Sequence, residues 1–253
     1  MQTDEAQDEL PDYEKPVTAW ERSLRDWGEK NPARMDQVRV LTLFHGKQAC
    51  NPEHEYLVIE VFHPSYKSRY LTIERYRGTL INKGNSTSSQ SSLPASSTSS
   101  KTHEAIDCVQ LCTGAPPAEE VIRKVSVRKC DIRLVDVAIA ARVVHDFKDQ
   151  YKVFKTQCFW FCDMVFSCLH GFFNMNATDG WKGELTHIGD SEDQIGEKWQ
   201  VEVFSKKGGT WRSIYIHRAK PEKIDKVIEA YKAAREKFRQ EVQFLFHILG
   251  SMV

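Results

Sequence analysis

Apolar positions along this chain recur at two periods, and the switches between them mark its elements. Val17, Trp20, Leu24 and Trp27 share one face of a short helix that opens at Pro16 and ends before Asn31 and Pro32. From Gln37 the period shortens. Gln37-Val-Arg-Val-Leu-Thr-Leu-Phe is a strand, and His54-Glu-Tyr-Leu-Val-Ile-Glu-Val-Phe alternates as a second one rich in β-branched residues. His63-Pro-Ser-Tyr-Lys-Ser connects it to a returning strand, Arg69-Tyr-Leu-Thr-Ile-Glu-Arg-Tyr, so residues 54–76 predict a β-hairpin. Ala105–Leu111 predicts another strand, and Pro116-Pro-Ala-Glu-Glu-Val-Ile-Arg-Lys, with proline and acids first, predicts a short helix. Leu134, Val137, Ala138, Ala141, Val144 and Phe147 return to the helical period.

Tyr151–Phe166 reads as a short strand, a polar break at Lys155–Gln157, and an apolar helix with Thr156 as its N-cap. Past a loop at Gly180-Trp-Lys-Gly come two more strands, Lys198-Trp-Gln-Val-Glu-Val-Phe and Trp211-Arg-Ser-Ile-Tyr-Ile, joined through Lys206-Lys-Gly-Gly. Pro221 opens a last helix to about Leu249, with Ile224, Val227, Ile228, Tyr231, Phe238, Val242, Leu245 and Leu249 along one side.

These elements predict an α+β fold: an antiparallel, partly barrel-like sheet packed on the central helix that Cys158 opens, with added helices at both ends. Residues 1–36 form an acidic tail and the short Trp-bearing helix, and residues 37–253 a single domain. Its Ser/Thr-rich stretch at about 84–103 is too poor in apolar side chains to offset its ordering entropy, and is expected to be a disordered insert. Composition narrows the function classes. Lys+Arg and Asp+Glu balance at 35 each without a basic block, which removes the electrostatic case for nucleic acid or anionic membranes. The longest apolar run, Cys158–Phe173, is broken by Asp163 and His170 and falls short of the ~20 residues of a transmembrane segment. Met1–Glu14 is acidic and polar and lacks the pattern of a secretory signal. The seven cysteines are therefore expected to be reduced thiols in a cytoplasmic or nuclear protein that is not secreted.

Cys158 is the centre of the candidate chemistry. In the first turn of a helix the positive end of the helix dipole favours a thiolate. The same position also suits a small hydrophobe on a core helix. His54 opens the first strand of the hairpin, and residues 74–78 fold back beside it. Register decides which of them shares its face: Glu74 is the partner if a carboxylate orients the His54 ring, with Tyr76 the alternative under the same register. His63 closes that strand ~30 Å away and belongs to no common site.

An early histidine at a strand start, a polar group on the neighbouring strand and a late cysteine opening an apolar helix resemble the circularly permuted papain-like thiol enzymes. That group includes lecithin:retinol acyltransferase-like and NlpC/P60-like proteins. The resemblance rests on His54 in His-Glu-Tyr-Leu-Val-Ile-Glu-Val, on Cys158 in Gln-Cys-Phe-Trp-Phe and on the helix and Tyr-Lys-Val-Phe that precede it. Gln157 stands where that family has Asn. The resemblance implies a hydrolase or acyltransferase that acts on an amide, ester or thioester through Cys158, His54 and Glu74. Its substrate would be a small-molecule, lipid or peptide acyl group, with no cofactor and no metal. The alternative is a non-catalytic interaction module on the same scaffold, with the C-terminal helix as its protein-partner surface. Cys108-x-x-x-Cys112 and Cys158-x-x-x-Cys162 raise zinc, but the second pair lies inside a helix rather than in a turn. Neither a Walker A loop nor G-x-G-x-x-G occurs.

Overall fold

The computed structural model describes residues 15–48, 54–63, 66–80, 103–127, 132–148, 150–151, 158–175, 199–203, 210–211, 214–215 and 221–250. The acidic tail, Thr156, Gln157, the Ser-rich insert and the Trp181 loop lie outside the described residues. In chain order the elements are β1 (Lys15–Pro16), α1 (Val17–Lys30), α2 (Pro32–Met35), β2 (Arg39–Gln48), β3 (His54–His63), β4 (Tyr66–Leu80) and β5 (His103–Cys112). A 3-10 turn at Ala118–Glu120 leads to β6 (Val121–Val127), α3 (Leu134–Phe147), β7 (Gln150–Tyr151) and α4 (Cys158–Met175). Then follow β8 (Trp199–Val203), β9 (Thr210–Trp211), β10 (Ile214–Tyr215) and α5 (Pro221–Gly250).

The main sheet is antiparallel and runs β1-β5-β4-β3-β2-β6-β8, with β7 also paired to β5. Its path has two ends, so the expected α+β class is met by an open sheet and not by a closing barrel. Strand alternation gives the sheet two unlike faces. Leu57 pairs with Ile73, which pairs with Val109, and Leu43 lies between Ile59 and Val125. All six face the helices in one continuous core. Phe44, Tyr56, Val58 and Val121 form a second, smaller cluster, with Tyr70 and Cys112 at its margin.

Helix α4 is the middle of the core. It is apolar on nearly every side, as a helix buried all round must be, and it packs on β3, β4 and β2 as well as on α3 and α5. Gly171 lets α5 come close, because a Cβ there would stand 2.8 Å from Ile228 Cδ1. Two buried carboxylates tie the helical layer together. Glu21 of α1 accepts from Arg25 and from Arg142 of α3. Asp136 of α3 accepts from the Arg133 amide and from Tyr231 and Arg235 of α5. The apolar stripe of α5 from Ile224 to Phe238 is thus used within the chain.

Two further sequence expectations fail. The stretch at Pro116, expected as a short helix, makes one 3-10 turn and then strand β6. Val121, Val125 and Val127 are β-branched, and the free edge of β2 supplies a ladder that outweighs the helix-start signal of Pro116 and Pro117. Where Trp211–Ile216 is expected as one strand paired to the one before it, the two short strands β9 and β10 pair with each other. The preceding strand, β8, instead extends the main sheet beside β6.

Candidate active site

The N-terminal end of β3 and the first turn of α4 come together, 103 residues apart in the chain: the Glu55 amide donates to Cys158 Sγ at 3.5 Å. His54 Nε2 lies 2.7 Å from Glu74 Oε2, and Cys158 is the other neighbour whose proximity raises the imidazole. With Nε2 given to the carboxylate, Nδ1 is the ring nitrogen left to serve the thiol. The structure thus brings the Cys158 thiol, the His54 imidazole and the Glu74 carboxylate to the same end of β3. Register explains the choice on β4. Tyr56 pairs with Glu74, so Glu74 and Tyr76 both lie on the His54 face, and the structure uses both. The Tyr76 ring stacks on His54 at 5.2 Å and 17°, and its hydroxyl donates to Glu74 Oε2 at 2.5 Å.

Electrostatics follows from these contacts. Burial alone would pull the His54 pKa down, but hydrogen bonds and charge from Cys158 and Glu74 outweigh it and push the imidazole up to about 10. Burial pushes the Glu74 carboxyl up, while the donors His54 and Tyr76 outweigh it and hold it below the usual range. The Tyr76 phenol is raised by burial and by the carboxylate it serves, and so stays protonated. Cys162 lies in the same helix. One turn beyond Cys158, it is buried completely, and burial with neighbouring negative charge raises its thiol well above the usual range. Cys168 is pushed up to about 12 by burial alone.

What holds Cys158 in place lies beneath α4, in side chains that the reading of the sequence missed. Arg75, next to Glu74 on β4, donates Nε and Nη2 to Asp107 at 2.6 and 2.5 Å. Its guanidinium sits under the rings of Phe161 (4.7 Å) and Trp160 (5.4 Å) in the first turn of α4. His145 of α3 reaches the same carboxylate at 2.8 Å. One turn further along α4, Arg123 of β6 donates to Asp163 at 2.7 Å and lies 4.3 Å from the Phe166 ring. Arg123 also donates to His45 Nδ1, which must accept because a guanidinium has no lone pair to offer. That places the His45 proton on Nε2, facing Glu55 at 2.8 Å. Burial and the Arg123 charge lower the His45 pKa accordingly. The helix is pinned to the sheet at two levels, and Glu55 joins the lower network to the backbone that meets the thiol.

A signal for these residues did exist. Glu55 has the parity of Leu57 and Ile59, Arg75 that of Leu71 and Ile73, and Asp107 that of Val109. A charge at a core-facing strand position is buried and must be paired. Of the cysteines raised for zinc, Cys108 lies on β5 opposite Glu74, on the face of His54. Among the described residues no group of three or more His, Cys, Asp or Glu side chains is arranged to hold a metal ion. Nor is any helix among them long and apolar enough to cross a membrane. Comparison with protein-family models, with curated proteins and with solved structures finds no match to this chain.

Proposed function

We propose that this chain is a thiol-dependent hydrolase or acyltransferase that acts on an amide, ester or thioester. The observation that carries the reading is that the Glu74-held His54 imidazole and the Cys158 thiol, which the Glu55 amide meets, lie at the same end of β3. Cys158 attacks the acyl carbon, and the His54 imidazolium gives its proton to the departing amine, alcohol or thiol. Water or an acyl acceptor then attacks the thioester while neutral His54 takes its proton. Glu74 holds the ring by Nε2 and stabilises its charged form. The first amides of α4 are unpaired within the helix and suit the oxyanion. Chain order supports a permuted papain-like scaffold, since histidine and carboxylate come from an early antiparallel hairpin and cysteine from a later core helix.

One observation favours the competing reading of a non-catalytic interaction module: Cys158 is only 5 % exposed. Residue-resolved labelling with iodoacetamide near neutral pH decides between them. Cys158 is expected to react at least about tenfold faster than Cys162, and His54→Ala to slow it. Equal rates at the two cysteines, or an unchanged rate in His54→Ala, would refute the enzyme reading and leave the module.

A further inference from the structure

Tyr76 has no part in the mechanism above, yet it touches both groups that serve the thiol. The register of β3 on β4, Tyr56 against Glu74, puts it on the face of His54. Its ring lies nearly parallel to the imidazole, at 5.2 Å and 17°. Its hydroxyl reaches Glu74 Oε2, the same oxygen that stands 2.7 Å from His54 Nε2. An imidazole held by one hydrogen bond can still rotate about that axis, and the stacked ring opposes the rotation. A carboxylate oxygen that accepts from two donors is fixed in direction and stays ionised to lower pH than with one donor.

We infer that Tyr76 is a positioning residue of the Cys158–His54–Glu74 site, whose ring fixes the plane of the imidazole and whose hydroxyl holds the orienting carboxylate. The inference rests on the Cys–His reading given above. It assigns the two parts of one side chain to two separable effects. Tyr76→Phe keeps the stack and removes the hydroxyl, whereas Tyr76→Leu removes both. The groups near Glu74 are His54 and Tyr56 on β3, Tyr76 on its own strand and Cys108 on β5, with Cys162 of α4 feeling its charge through the sheet. Of these, His54 and Tyr76 alone hydrogen-bond its carboxylate among the described residues. Loss of the hydroxyl therefore makes Glu74 easier to protonate.

The experiment follows iodoacetamide labelling of Cys158 in the full chain between pH 4 and 9, for wild type, Tyr76→Phe, Tyr76→Leu and His54→Ala. Tyr76→Phe is expected to slow labelling about three- to tenfold on the acid side, the size of one ordinary hydrogen bond, and to move the acid limb to higher pH. Tyr76→Leu is expected to be slower still at every pH, because the ring is no longer held. An unmoved acid limb in Tyr76→Phe, whether or not the rate falls uniformly, overturns the inference while the Cys–His reading stands. An unchanged rate in His54→Ala overturns the Cys–His reading, and the inference with it.

Discussion

Asp107→Asn tests the framework on which the candidate site stands. Asp107 and Arg75 both have wholly buried side chains, 0 % exposed. The substitution keeps the shape of Asp107 and removes its charge, so the Arg75 guanidinium stays inside the protein without its counter-ion. Breaking a buried pair in this way costs about 3–5 kcal/mol, a large share of the ~5–15 kcal/mol of a whole domain. At an m-value of about 2 kcal/mol/M, the urea midpoint should fall by about 1.5–2.5 M. Asp146→Asn is the matched control, because Asp146 meets Arg142 at a half-exposed i,i+4 position, where such pairs contribute about 0.3–0.5 kcal/mol. The double replacement of Arg75→Met with Asp107→Leu removes both charges and should recover most of the loss. Because Arg75 lies under Trp160 and Phe161, Asp107→Asn should also slow the labelling of Cys158. A midpoint shift no larger than that of Asp146→Asn would refute the reasoning.

His54 sets a pH dependence of stability with a definite sign. Its pKa rises from 6.5 to about 10 on folding, so its contribution is full below pH 6.5 and is lost as pH climbs toward 10. Urea unfolding of wild type between pH 6.5 and 9.5 should therefore show a falling stability whose slope is shallower in His54→Gln; parallel slopes would count against the site. Phe238, 4 % exposed in the core and capped by the Arg25 guanidinium at 5.2 Å, should cost about 3–5 kcal/mol as Phe238→Ala, independent of protein concentration. A loss that shrinks as concentration rises would mean that α5 docks between copies of the chain.

Long periodic stretches were legible in the amino-acid sequence by itself. The helix at 134–147 matches its apolar period residue for residue, the hairpin at 54–76 and the helix from Pro221 follow their own patterns, and the α+β class follows from them. His54, Glu74, Tyr76 and Cys158 could be singled out as candidates, because a strand start and a helix start are local features. Which of the β4 residues meets His54 could not be read, since that is a matter of register, and register depends on two strands at once. The same holds for β6. Its neighbours β2 and β8 come from either side of it in the chain, and pairing with them outweighs the local signal at Pro116. The buried pair Arg75–Asp107 and the part-buried pair Arg123–Asp163 span 32 and 40 residues, and the Glu55 amide meets the Cys158 thiol across 103. Local periodicity reports which way a side chain faces. Only the packed tertiary structure decides what it finds there, because Coulomb and hydrogen-bond energies depend on distance in space and not on separation along the chain.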